Sequence, residues 1–123
     1  MKAYVEELLA ADENLFCTSQ FNNPANPATH VDTTGPEILE QSGGHVDYLV
    51  SGVGTGGTVT GVGAFFKEKC GTAVIAAEPT ESRVIGETDS PHTIMGIGAG
   101  VVPPLLSRRC LGNQWRNLSW LYC

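Results

Sequence analysis

Residues 46–69, VDYLVSGVGTGGTVTGVGAFFKEK, constrain the fold more than any other stretch of the chain. Val46 to Val53 is a short apolar run of strand length, and a cluster of glycines with Thr55 and Thr58 follows it. The next residues carry Val59, Val62, Phe65 and Phe66 at helical spacing, with Lys67 and Lys69 at the end where cations oppose the helix dipole. Ala73 to Glu78, AVIAAE, is a second run of strand length. Strand, helix and strand within about thirty residues predict a right-handed βαβ unit in a parallel sheet. The expected class is α/β, a partial parallel sheet with flanking helices.

A strand that breaks into glycines and opens a helix points several backbone N–H groups at one spot, on the positive end of the helix dipole. Such a spot favours an anion, phosphate above all. Gly54, Gly56 and Gly57 let the backbone approach a ligand, and Thr55 and Thr58 add hydroxyl donors. A turn serving helix–strand packing alone would not need those hydroxyls. Gly52, Gly54 and Gly57 also spell G-x-G-x-x-G after a strand, with Glu78 ending the next strand, so a small NAD-binding Rossmann-type domain is a second candidate. A triphosphate P-loop is excluded, because no Gly-Lys-Ser/Thr follows.

The flanking segments predict a smaller set of elements. Residues 2–11 place Val5, Leu8 and Leu9 on one side of a short amphipathic helix, which a turn at Asp12, Glu13 and Asn14 would end. Leu15 to Phe21 is rich in β-formers and reads as a strand running into an ordered loop at NNPANP, where a helix is not expected. His30 to Gln41 reads as helical, broken or restarted at TTGPE with Thr33 or Thr34 as N-cap and Pro36 in the first turn, and Gly43-Gly44 ends it. PTESRVIGETDSPHTIM is a long connection, in which His92 reads as a loop residue, and GIGAGVVPPLL is a second glycine-rich turn.

Charge and cysteine usage exclude several functions. A net charge of −6 leaves no surplus of cations to neutralise phosphates along a nucleic acid, so no nucleic-acid partner is expected. The N-terminus is interrupted by Glu6 and Glu7, unlike a secretory signal, and no apolar run approaches a membrane span. A cytoplasmic location with free thiols is expected, or an organellar one if an N-terminal segment is missing. Cys17, Cys70, Cys110 and Cys123 never form C-x-x-C, and His30, His45 and His92 show no ligand spacing, so no metal site is expected. The composition changes after Leu106, where Arg108, Arg109, Arg116, Trp115 and Trp120 cluster. The expected organisation is one domain over residues 1–106 and a divergent, irregular tail over 107–123; the sequon at Asn117 reads as chance.

Four stretches, QFNNPANPATHVDTTGPEILE, GVGTGGTVTGVGAFFKEK, AAEPTESRVI and PHTIMGIGAG, together resemble cysteine synthase (O-acetylserine sulfhydrylase), of the fold type II pyridoxal phosphate enzymes. The resemblance runs from about Lys2 to Leu106 in the family's motif order, and it departs from the family at Met95 and Ser19, where glutamines are usual. It implies a fragment of the tryptophan synthase β-like fold and a β-replacement that converts O-acetylserine and sulfide to cysteine. It further implies that Gly54, Thr55, Gly56, Gly57 and Thr58 cradle the phosphate of pyridoxal 5'-phosphate, that Gln20 contacts the substrate carboxylate, and that Gly96 and Gly98 line the mouth of the site.

In the family the lysine joined to the cofactor and the Thr-Ser-Gly-Asn-Thr-Gly loop lie upstream of these motifs, and the hydroxyl partner of the ring nitrogen lies downstream. Lys2, Lys67 and Lys69 sit on predicted helix surfaces, where a solvated, protonated amine is a poor nucleophile. The resemblance therefore implies a phosphate handle without a catalytic centre, and no catalytic residue is assigned. A chain with that content also leaves apolar faces uncovered, which predicts marginal stability and suggests an alternative role as a non-catalytic partner of full-length cysteine synthase subunits in a homo- or hetero-dimer.

Overall fold

A computed structural model describes residues 2–82, 85, 90–107, 109 and 111. The elements run α1 (Lys2–Ala11), α2 (Ala25–Thr29), a π-helical turn (His30–Thr34), α3 (Gly35–Gln41), β1 (Tyr48–Gly52), α4 (Gly57–Cys70) and β2 (Ala73–Ala77). β1 and β2 pair in parallel, with Tyr48 opposite Ala73 and Gly52 opposite Ala77. The βαβ unit expected from the glycine-loop pattern is thus present, and α4 is the crossover between its strands.

α4 is the hub of the packing. Val59, Val62 and Phe66 are fully buried on it, while Phe65 lies against Gly35 of α3, where a Cβ would come within 2.7 Å of the ring. Val53, Val59 and Val74 form a core cluster with Ile85, Leu106 and Leu111. Gly57 and Gly61, one helical turn apart, leave the face of α4 bare enough for α2 and the π-helical turn to lie directly on it. A Cβ on Gly61 would collide with the Pro27 carbonyl and with His30, and one on Gly57 would collide with the Asn26 amide. Gly71 ends α4 at φ 67, a left-handed cap with no Cβ penalty.

Three expectations are corrected. Leu15 to Phe21 forms no strand: the chain runs irregularly and almost wholly exposed, and Ser19 turns it at φ 48 so that its carbonyl accepts from the amides of Asn22 and Asn23. A strand needs a neighbouring edge for its amides, and this segment pairs with neither strand of the described two-stranded sheet. The NNPANP loop does contain a helix, α2. Pro24 is its N-cap and Pro27 falls in its first turn, where no amide hydrogen is required, while Asn23 Oδ1 accepts from Ala25 N–H at 3.0 Å. Thr34 does stand at the N-cap of α3 and Pro36 follows in its first turn, but Thr34 keeps helical angles and makes no capping bond. In place of a break, the widened turn His30–Thr34 leads without interruption from α2 into α3. The 107–123 tail lies outside the described residues except for Ser107, Arg109 and Leu111.

Candidate functional site

The chain leaves β1 through Val53 and turns at Gly56, whose φ of 81 suits only a residue without a Cβ; Leu106 closes over this position within 3.2 Å of where a Cβ would stand. Behind the turn, Thr60 Oγ1 donates to the Leu105 carbonyl at 3.1 Å and accepts from Ser107 N–H at 3.0 Å. The loop is therefore held from its rear by the segment 103–107, and its front faces a cleft of about 520 Å³.

Gly54 to Thr58 form one wall of that cleft, Gln20 and Phe21 an end, and Gly96, Ile97 and Ala99 the opposite wall. The two walls touch at their bases. Gly98 N–H donates to the Val53 carbonyl at 3.0 Å, a Cβ on Gly54 would come within 2.5 Å of the Gly96 carbonyl, and Ile97 presses on Gly52. Gly96, Gly98 and Gly100 all have positive φ, so the second wall, like the first, is a shape that other residues would strain. Of the residues assigned from sequence, the cleft brings together Gln20, Gly54, Thr55, Gly56, Gly57, Thr58 and Gly96. Gly98 lines a neighbouring cavity of about 400 Å³ with Ser82 and His92, and its carbonyl lies 3.0 Å from His92 Nε2.

Asn26 is the residue that sequence reasoning passed over. From α2 its Nδ2 donates to the Gln20 carbonyl at 2.8 Å and to Thr55 Oγ1 at 3.1 Å, which ties the end of the cleft to the glycine loop. Gly57 N–H also donates to Thr55 Oγ1, at 3.3 Å. With both lone pairs of that oxygen engaged, the hydroxyl hydrogen of Thr55 is left to donate. Thr58, exposed at the first turn of α4, has its hydroxyl 3.2 Å from His30 Nε2. The available signal for both residues was the pairing of Asn26 and His30 with the glycines at 57 and 61 that make room for them, a pairing that only the fold reveals.

The arrangement suits an anion in its chemistry. The N-terminus of the 14-residue α4 carries no side-chain cap at Gly56, its first residues line the cleft, and a free hydroxyl hydrogen adjoins it. Lys67 and Lys69 do not reach this point. Lys67 and Lys69 occupy the last turn of α4, about 15 Å along the helix from Gly57 at 1.5 Å per residue, where Lys67 Nζ donates to the Arg109 carbonyl; Lys2 belongs to α1, which packs on none of the other elements. Glu78, the acidic residue a dinucleotide reading would use, is half-buried and accepts from Ile85 N–H with both carboxylate oxygens, at 3.0 and 3.2 Å.

The family model described as pyridoxal-phosphate dependent enzyme matches residues 1–114. The chain belongs to that family. It is 49% identical over 106 residues to cysteine synthase 3 of Caenorhabditis elegans, covering 85% of this chain and 32% of that protein. The crystal structure of the cysteine synthase of Entamoeba histolytica superposes with a TM-score of 0.83 at 40% identity, over 89% of this chain and 33% of the other. An O-ureido-L-serine synthase structure gives the same TM-score at 36% identity, over 89% and 35%. The chain thus spans about a third of the length of these members of the family, and its α/β unit is that of the tryptophan synthase β-like fold they share. Among the described residues no three His, Cys, Asp or Glu side chains gather as a metal site would require, and no helix is long and apolar enough to cross a membrane.

Proposed function

We propose that this chain is the phosphate-anchoring portion of a cysteine synthase-type enzyme, a β-replacement catalyst that exchanges the activated hydroxyl of an O-acylated serine for sulfide. The observation that carries the reading is the state of Thr55: two donors saturate its oxygen, so its hydrogen is free beside the uncapped start of α4. Backbone amides at Gly56 and Thr58 and the Thr55 hydroxyl would hold the phosphate of pyridoxal 5'-phosphate. Gln20 stands at the end of the cleft where a substrate carboxylate would lie, and the Gly96 to Ala99 wall would exclude water from the far side. When bound, the cofactor supplies the electron sink for the exchange. The residues present would anchor and orient it, and Lys67 and Lys69 stand at the far end of α4 from the cleft, so these residues acting by themselves are not expected to turn over.

The test is amide chemical-shift mapping on the chain with inorganic phosphate and then with pyridoxal phosphate. Both should move residues 54–58, and the absorbance of bound pyridoxal phosphate should not depend on Lys2, Lys67 or Lys69. Unmoved amides at 54–58 with both ligands would overturn the reading. A role as a non-catalytic partner of full-length subunits is a second reading, favoured by Tyr4, Phe16, Tyr48 and Val50, whose exposures run from 54% to 83%. Co-purification with a full-length cysteine synthase would support it, and a monomeric chain indifferent to such subunits would remove it.

A further inference from the structure

The glycine loop is fixed at both of its ends by one short stretch of chain. At its start, the Val53 carbonyl accepts from Gly98 N–H at 3.0 Å. Just past its end, the Thr60 hydroxyl donates its hydrogen to the Leu105 carbonyl at 3.1 Å and its oxygen accepts from Ser107 N–H at 3.0 Å. A carbonyl can only accept and an amide N–H can only donate, so each bond has one direction and the position needs a hydrogen and a lone pair together. Between these anchors the chain passes from the far wall of the cleft, through Pro103 and Pro104, to the rear of the loop. Two consecutive prolines fix two φ angles in that connection, and Leu106 N–H donates to the Pro103 carbonyl at 3.0 Å, so it is short and stiff.

Thr60 also holds the turn from within its own helix. Its N–H donates to the carbonyl of Gly56, the left-handed residue of the turn, at 3.0 Å. Leu106, which stands between the two residues bonded to the Thr60 hydroxyl, is 9% exposed, and its N, Cα and Cβ lie 3.2–3.4 Å from where a Cβ on Gly56 would stand. The segment that Thr60 holds is therefore the one that backs the turn. Thr60 is not among the residues that line the cleft, so its side chain acts on an anion there only through the loop.

We propose that Thr60 is a positioning residue of the anion seat: its hydroxyl pins residues 105–107 against the back of the glycine loop, and affinity at residues 54–58 depends on that hydroxyl although it never meets the anion. This rests on the phosphate reading above and adds to it a residue that acts from outside the cleft. Amides at the start of a helix hold an anion when they converge on one point. The convergence of Gly56 and Thr58 requires the turn at Gly56 to keep its φ of 81. Without the hydroxyl, Leu105 and Ser107 lose their shared partner, Leu106 backs Gly56 less firmly and the turn is free to widen. Because the same stretch begins at the far wall, the amides at 96–99 shift with it.

The test is titration with inorganic phosphate, read from the amide shifts at 54–58. Thr60→Val keeps the shape of the side chain and loses both bonds, and its phosphate affinity should fall by about three- to tenfold. Thr60→Ser keeps the hydrogen and the lone pair and should bind as the unaltered chain does. Val62→Ala removes buried volume from α4 but no hydrogen bond, and should lose stability while keeping its affinity. In the unaltered chain the coupling is reciprocal, so phosphate should slow hydrogen exchange at the Ser107 and Gly98 amides, a measurement that does not depend on any variant folding. Unchanged affinity in Thr60→Val, no rescue in Thr60→Ser, an equal loss in Val62→Ala, or exchange at Ser107 that phosphate leaves unaltered overturns the positioning role and leaves the seat standing. Amides at 54–58 that phosphate does not move in the unaltered chain overturn the seat and the role together.

Discussion

Residues 48–77 and residues 2–21 are both well patterned, yet they meet opposite fates. The first stretch folds β1, α4 and β2 around Val53, Val59, Val62, Phe66 and Val74, all at most 4% exposed. The second forms a regular helix whose Tyr4, Leu8 and Leu9 stay exposed, followed by a segment in which Phe16 is 83% exposed. α1 has its expected turn, with Asp12 accepting from both the backbone and the side chain of Asn14, but it rests on nothing among the described elements. An amphipathic pattern says that a helix has a face to bury; what covers that face is decided elsewhere in the fold.

Large-to-small substitutions should expose that contrast most strongly. Phe66→Ala removes a fully buried ring and is expected to cost about 3–5 kcal/mol, much of the whole stability of an ordinary domain. Leu8→Ala, on a side chain 39% exposed, should change stability by less than about 0.5 kcal/mol. Urea denaturation followed by circular dichroism measures both. A large loss at Leu8 would mean that α1 is packed in solution, and the uncovered faces would then need another account. The same surface predicts a broad thermal transition below about 60 °C, within or under the range of ordinary domains.

Close approach of α2 to α4 gives the next effect. Gly61→Val would drive a branched side chain into the Pro27 carbonyl and His30, for a cost of about 1–3 kcal/mol or more by overpacking. Its sharper signature is functional, because lifting α2 withdraws Asn26 from Thr55 and Gln20 and should abolish phosphate-induced shifts at residues 54–58. Gly43→Val, where nothing stands within 4 Å of a Cβ, strains a backbone at φ 77 but should leave those shifts in place. Equal loss in both variants would show that general destabilisation rather than the α2 contact governs the cleft.

Paired asparagines narrow the comparison to a single side chain. Asn26→Ala deletes the donor shared by the exposed Gln20 carbonyl and the part-buried Thr55 Oγ1, an expected loss of about 0.5–1.5 kcal/mol, with weaker phosphate binding. Asn14→Ala deletes bonds of similar length to Asp12, but in water, where the exchange of partners should cost less than about 0.5 kcal/mol.

Legibility in the sequence follows the same division. The βαβ unit could be read because each of its parts is local: apolar runs of strand length, glycines at the turn, apolar residues at helical spacing, and lysines at the helix end. The glycine loop and Gly96, which the resemblance assigns to one site, line one cleft, whereas Gly98 faces the neighbouring cavity. Asn26 and His30 were not legible, because their roles depend on glycines about thirty residues away that admit them to the face of α4. Leu15 to Phe21 misled for the complementary reason. Its β-formers state a preference, and the strand they prefer requires an edge that local sequence cannot supply.

The smallest effect belongs to the exposed arm, at Cys17. The Ser19 hydroxyl donates to its sulfur at 3.5 Å and the Ser19 backbone adds to the effect, so the thiolate is favoured and the thiol titrates below its ordinary range. A lowered value means that the reactive anion persists to lower pH. Alkylation of Cys17 should therefore remain fast on acidification after a model thiol has slowed, and Ser19→Ala should move the profile back toward the ordinary one. The Ser19→Ala profile serves as the reference. If the two profiles coincide, the left-handed turn at Ser19 does not hold its hydroxyl against the sulfur, and residues 15–21 are less ordered in solution than the bonds from Asn22 and Asn23 to the Ser19 carbonyl require. That outcome would widen the contrast between the two regions, since even the local bonds of the arm would then depend on packing it does not have.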